Sequence, residues 1–344
     1  MQPIHSKLEE IARKAIQTQL DKQEFEELAL ELFQLHAQFN PIYSNWIDCL
    51  SINKQKVKSL EDIPFFPVRF FKQLEVGITN TINNSALKFT SSTTTGGLPS
   101  QHFVPNPEIY IRSFLTAFEL FYGHPSNWTI LALLPGYLER TGSSLVYMAE
   151  HLINLSNNPK SGFYLSDFEG LTKVLVENQE ANQKTLLLGV SFGLLDFIES
   201  NPYVSATLAK NSNLVVMETG GMKGRRTELT RMELHERLTM AFQVGKIHSE
   251  YGMTELLSQA YSNGDGIFNS PPWMKILLRE TDNPLAAMTQ TDRVGGLNII
   301  DLANVYSCPF LAIDDLGKFK NDNAFEVLGR FDQAEIRGCN LMLE

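Results

Sequence analysis

The chain has 344 residues, 43% of them apolar and 20% charged, proportions that fit a folded globular protein and exclude a disordered one. Its formal net charge is −10 at pH 7 and no basic cluster interrupts it. A phosphate backbone or an anionic membrane surface would therefore gain little from binding it, which excludes nucleic acid as an expected partner.

The first twenty residues alternate charge with apolar side chains and lack the apolar centre of a secretory signal. Apolar stretches such as 186–195 fall short of the ~18–20 residues that a membrane span needs. Cys49, Cys308 and Cys339 lie far apart, with no CxxC and no metal-ligand spacing. These features predict a cytoplasmic chain with free thiols and no zinc site.

Residues 6–19 and 24–38 carry apolar side chains at helical spacing and predict two amphipathic helices. Residues 54–67 read as a connector ending in Ile63-Pro64-Phe65-Phe66-Pro67, where prolines exclude regular helix. Beyond it, strand-like runs at 87–90, 128–134, 185–188 and 213–217 alternate with helical stretches at 108–122, 143–153, 167–179, 194–199 and 228–242. That alternation predicts a parallel sheet with helices on its faces. Strand-like runs at 274–279, 297–301 and 310–313 then dominate, so the last third reads as antiparallel or mixed sheet.

Five segments carry chemistry. After the run at 87–90 comes Ser91-Ser92-Thr93-Thr94-Thr95-Gly96-Gly97-Leu98-Pro99-Ser100, a string of hydroxyls and glycines. Such a loop can fold N–H and O–H donors around phosphate oxygens, and with no GK[ST] following it is not a Walker loop. Glu218-Thr219-Gly220-Gly221-Met222-Lys223-Gly224 supplies a glycine turn with one cation. His248-Ser249-Glu250-Tyr251-Gly252-Met253-Thr254-Glu255 combines a ring, a hydroxyl and a carboxylate. Asp314-Asp315-Leu316-Gly317 places two acids at a strand end, and Gly329-Arg330-Phe331-Asp332 precedes the final stretch. A ring to stack on a base, donors for phosphate, one carboxylate for Mg²⁺ and another for ribose are the parts of a nucleotide site.

In this order the segments resemble the acyl-adenylate-forming superfamily, whose phosphate loop aligns with Ser91–Ser100 and whose YGxTE motif is matched by Tyr251, Gly252, Thr254 and Glu255. The stretch at 133–148, the run at 186–197, the METGGMKG turn and the ending at 335–341 resemble one branch more closely, the acyl-protein synthetases (long-chain-fatty-acid–luciferin-component ligases). The resemblance implies the large α/β N-terminal domain of adenylate-forming enzymes, with mixed sheets flanked by helices and most of the mobile C-terminal domain lacking. It divides the chain into a helical segment at 1–60, an adenylating domain at 61–329 and a hinge-like arm at 330–344.

The same resemblance implies ATP-dependent activation of a carboxylic acid, expected to be fatty, followed by transfer of the acyl group to a cysteine thiol. ATP and AMP would be held by Ser91, Ser92, Thr93, Thr94, Thr95, Gly96, Gly220, Gly221, Tyr251, Gly252, Thr254, Asp315 and Arg330, and Mg²⁺ by Glu255. Cys339 matches the acyl-accepting cysteine, and Arg337, two residues away, would favour its thiolate if both sit on one strand face. Lys223 is the cation available to stand in for the superfamily's catalytic lysine, and Ser100 occupies the position of the loop's usual lysine. An acyl reductase or acyltransferase is the expected protein partner. Coenzyme A as acceptor, or a non-catalytic subunit that binds acyl groups or nucleotides, are the alternatives. Gly189-Val190-Ser191-Phe192-Gly193 also fits the G-x-S-x-G elbow of serine hydrolases, for which His235 or His248 would have to serve as base.

Overall fold

The computed structural model describes residues 2–82, 86–92, 97–135, 142–202, 204–208, 213–220, 229–288, 293–321 and 324–331. Three helices open the chain: α1 (Gln2–Ala15), α2 (Lys22–Phe39) and α3 (Pro41–Cys49). Asp21 and Glu24 form a reciprocal capping box at the start of α2. Asn40 ends α2 and caps α3, and Pro41 follows where its missing N–H costs nothing. The apolar faces of these helices enter the same core as the sheet, with Leu8, Ile11, Leu32 and Phe33 fully buried. His36 Nε2 lies 3.0 Å from the Val305 carbonyl, and Asn40 Nδ2 donates to the Ser307 carbonyl at 2.7 Å. Burial drives the His36 pKa down to about 4, so it packs as a neutral ring.

The body alternates as expected: β1 (Phe66–Pro67), β2 (Leu87–Thr90), β3 (Gln101–Val104), α4 (Pro107–Tyr122), β4 (Thr129–Leu133), α5 (Ser144–Ser156) and β5 (Gly162–Phe163). It continues through α6 (Phe168–Glu180), β6 (Thr185–Val190), α7 (Ser191–Ser200), α8 (Val204–Thr207), β7 (Leu214–Thr219), α9 (Arg231–Phe242) and β8 (His248–Tyr251). Strands then take over: β9 (Ala260–Ser262), β10 (Ile267–Asn269), β11 (Met274–Arg279), β12 (Gly295–Asp301), β13 (Phe310–Asn321) and β14 (Ala324–Arg330).

One twelve-stranded sheet runs β11-β12-β13-β14-β10-β9-β8-β7-β6-β4-β5, with β1 added in parallel beside β13. From β5 to β8 the strands are parallel, and from β8 onward they are antiparallel. β4 and β6, in the parallel half, are buried at every residue, which is why their sequences are nearly continuous apolar runs without alternation. β2 and β3 form a separate antiparallel hairpin.

The expected α/β fold with a mixed last third is the one observed, and one difference matters for the site. The run read at 310–313 continues to Asn321, so Asp314 and Asp315 lie within a strand and not at its end. Gly317 permits this, because a Cβ there would meet the Glu326 carbonyl of β14.

Phe33→Ala tests whether the opening helices fold with the sheet, since Phe33 packs edge-on against Tyr43 and Phe310. The truncation should cost about 3–5 kcal/mol and lower the midpoint of a single urea transition. A separate early transition confined to the helical segment would contradict the shared core.

Candidate active site

The carboxyl ends of β7 and β8, the neck of the β2–β3 hairpin, the N-terminus of α5 and the start of α7 surround a cavity of about 610 Å³. The crevice beyond the carboxyl ends of parallel strands is where α/β sheets bind ligands. The lining brings together Ser91, Ser92, Gly220, Gly252, Thr254, Glu255, Asp315 and Arg330. These belong to all five segments singled out from sequence.

The hairpin neck is pinned from both sides. Ser91 N donates to the Ser100 carbonyl at 3.1 Å, and Ser100 N donates to Ser91 Oγ at 2.8 Å. Ser100 is almost fully buried, and its hydroxyl stabilises the Glu255 carboxylate. Thr93, Thr94, Thr95 and Gly96 lie outside the described residues, as do Gly221, Lys223, Arg337 and Cys339.

The Gly252–Glu255 turn is held from behind. His102 Nδ1 donates to the Thr254 carbonyl at 2.7 Å, and Asn304 Nδ2 donates to the Glu255 carbonyl at 2.9 Å. Burial lowers the His102 pKa to about 4, so this clamp is an uncharged ring. Glu255 itself is buried, and desolvation raises its pKa against the pull of Ser100, Lys72 and Arg330. A buried carboxylate beside the Ser91–Ser100 neck, as Glu255 is, suits Mg²⁺, which keeps several waters and takes its other ligands from phosphates. Among the described residues no cluster of three or more His, Cys, Asp or Glu could hold a metal alone.

Tyr251 stands behind the lining. Its hydroxyl donates to Asp315 Oδ2 at 2.7 Å, and its ring meets Phe268 and Phe325 edge-on at 5.8 and 6.0 Å. Asp315 is raised above its ordinary pKa by desolvation, with Tyr251 and Arg330 opposing. Arg330 lies 3.6 Å from Asp314, which also accepts from Arg69 at 2.9 Å.

Arg69 and Lys72, two cations on the 3-10 turn Val68–Lys72 that line the cavity, belong to none of the five motif segments. They arrive there because β1 pairs with β13, Phe66 opposite Leu311 and Pro67 opposite Ala312. Continuing that register puts Arg69 beside Asp314. No local pattern signals it; only a pairing of distant segments does.

His248 falls outside the lining and lies 3.1 Å from the Tyr122 hydroxyl, a packing role. The G-x-S-x-G segment forms a strand-to-helix turn, yet Ser191 Oγ donates to the Gly220 carbonyl at 2.7 Å and lies 3.2 Å from Glu218. His235 approaches Glu218 from the other side at 3.5 Å. With the carboxylate between serine and histidine, the histidine has no path to the serine proton, and the hydrolase reading falls.

Two further polar groups form the cavity floor. Glu250 is buried, accepts the Thr219 hydroxyl at 2.5 Å, and is pushed up to about 7, chiefly by desolvation. Gln259 is also buried, and its Oε1 has no hydrogen-bond partner.

A carboxyl whose folded pKa, about 7, exceeds its ordinary 4.5 binds its proton more tightly in the native state. Its contribution to stability is complete below about 4.5 and is lost as pH rises through about 7. Glu250→Gln should therefore raise Tm over the wild type at pH 8, by roughly 5 °C for a shift worth on the order of 3 kcal/mol. The gain should shrink toward pH 5 in calorimetry. A difference that does not change with pH would contradict the burial of an ionising group.

No protein-family model and no curated protein matches the chain. Among solved structures it is similar to a 2-hydroxyisobutyryl-CoA ligase in the postadenylation state with 2-HIB-AMP, at 13% identity and a TM-score of 0.66, over 92% of this chain and 70% of that one. It also resembles McyG A-PCP complexed with phenylalanyl-adenylate, at 14% identity and a TM-score of 0.50, over 72% of this chain and 47% of that one. A long-chain-fatty-acid-CoA ligase from Archaeoglobus fulgidus matches at 11% identity and a TM-score of 0.50, over 72% and 52%. At such identities the likeness is one of fold: this chain has the α/β fold of the large N-terminal domain of adenylate-forming enzymes.

Proposed function

We propose that the chain activates a carboxylic acid with ATP as an acyl-adenylate and passes the acyl group to a thiol. The observation that carries this reading is the convergence of residues from five distant segments on one cavity at the carboxyl ends of the parallel strands. Its support is the fold shared with ligases and adenylation domains whose structures hold acyl-adenylates.

In the first step a carboxylate oxygen attacks the α-phosphorus of ATP, and the bond to pyrophosphate breaks. Donors from Ser91, Ser92 and Thr254 would meet the phosphate oxygens, already oriented by the pinned hairpin neck and the His102 clamp. Asp315 would accept from the ribose hydroxyls, steadied from behind by the Tyr251 hydroxyl and by Arg330. Magnesium at Glu255 would supply charge neutralisation on the phosphates. Where the loop has Ser100 and not lysine, Lys72 is the described lysine whose charge acts on Glu255, alongside Arg330. Lys223 is a second candidate for the same role.

In the second step a thiolate attacks the acyl carbonyl and AMP leaves. A thiol of pKa about 8.5 is roughly 3% thiolate at pH 7, enough against so reactive an acyl donor. Cys339 is the proposed acceptor on sequence grounds, with an acyl reductase or acyltransferase as the protein that takes the group onward. Coenzyme A is the other acceptor, favoured by the fold likeness to CoA ligases.

Acid-dependent exchange of labelled pyrophosphate into ATP should occur with the wild type and fall about 100-fold in Glu255→Gln and about tenfold in Lys72→Ala. Unchanged exchange in Glu255→Gln would remove the metal assignment. Cys339→Ser should keep exchange and lose labelled acyl-protein; acyl-protein that survives the change would remove the cysteine assignment, and a wild type that forms acyl-CoA and no acyl-protein would make coenzyme A the acceptor.

A further inference from the structure

We infer that the acid taken by this cavity is short and carries an O–H or N–H donor in its acyl part, received by Gln259 and Glu250. The inference rests on the adenylation reading and adds the substrate class.

Gly252 is the hinge of the geometry. A Cβ at this position would meet Glu250 Oε1 and lie 3.3 Å from Gln259 Cγ, so both side chains flank the space that the glycine leaves open. Strand register explains why. β8 and β9 pair antiparallel, Glu250 opposite Tyr261 and Tyr251 opposite Ala260, which sets Gly252 opposite Gln259. All three residues line the cavity.

Both side chains present unused acceptors. Gln259 is 3% exposed and its Oε1 is unpartnered. Glu250 is 8% exposed, and the Thr219 hydroxyl goes to its Oε2, leaving Oε1 facing the gap. A buried amide carbonyl left unpaired costs roughly 1–3 kcal/mol, so its persistence at a cavity wall points to a ligand that pairs it. A plain alkyl chain would seal both acceptors away from water unpaired. A hydroxyl or amine would satisfy them. Glu250, pushed up to about 7, can meet a hydroxyl in either protonation form and a charged amine as carboxylate.

Size agrees with this chemistry. The cavity of about 610 Å³ must also take the nucleotide, and Pro135, Leu145, Met148 and Phe192 bound it with apolar surface. The acyl part must fit within what the nucleotide leaves of that volume, which bounds its length.

The test is pyrophosphate exchange across matched acids: butyrate, isobutyrate and hexanoate, each with hydroxy and amino counterparts, and palmitate as the long-chain case. At least one substituted acid should exceed its parent by about tenfold or more in kcat/KM, because a site built to hydrogen-bond a group rejects the analogue lacking it. The hydroxy and amino arms tell which donor is used. In Gln259→Leu the ratio should fall below about threefold while exchange with the parent acid stays measurable. Palmitate or an unsubstituted acid as best substrate, or an unchanged ratio in Gln259→Leu, would overturn the inference and leave adenylation standing. Absence of exchange with every acid would instead sink the adenylation reading. Equilibrium dialysis of the same acids then judges the pocket alone: preferential retention of substituted acids supports it, and equal retention overturns it.

Discussion

Strand β8 hydrogen-bonds to β7 in parallel on one side and to β9 antiparallel on the other, and the cavity exists because of that change of direction. The parallel half delivers strand ends and helix starts to one side, as α/β sheets do. The antiparallel half brings the chain back along the far wall, so Asp315 and Arg330, opposite each other on β13 and β14, face the turn that follows β8. Closing that wall requires a buried guanidinium. Arg279 donates to the carbonyls of Leu297 and Ile313 and to Asn298, binding β11, β12 and β13 behind the two aspartates.

Buried polar groups differ in how fully they are paired, and Ser249 Oγ and the Tyr261 hydroxyl, away from the cavity lining, are unpaired as Gln259 Oε1 is. His36, His102, Asn304 and Asp301 are fully buried and well paired; Asp301, for instance, takes Leu257 N, Ser258 Oγ and Ala303 N. Such networks fix one arrangement of a core. Gln259 and the free oxygen of Glu250 are the contrasting kind, buried and incompletely paired at a cavity wall. Polar groups left short of partners are where structure gives way to function.

The alternation of apolar runs and amphipathic helices was enough to read the parallel half, since β4 and β6 are buried throughout and their runs are uninterrupted. The antiparallel half was legible only in outline. β9 and β10 have three residues each, too short for periodicity to register. β8 reads as polar because Ser249 and Glu250 are buried by tertiary neighbours and not by composition. The site followed the same division. Motif residues such as Thr254 and Glu255 were visible as a local string. Lys72 and Arg69 were not, because they reach the cavity through a strand pairing that spans some 245 residues of sequence, and Gln259 was not, because it enters through the register of β8 with the three-residue β9, too short to show a pattern.

Binding of a non-hydrolysable sulfamoyl analogue of a short hydroxyacyl-adenylate, followed by titration calorimetry, tests the convergence of these segments most directly. One molecule should bind per chain, at least about 100-fold tighter than AMP, since an intermediate analogue engages both the nucleotide and acyl walls at once. Affinity no greater than that of AMP would mean that the two walls do not act on one ligand.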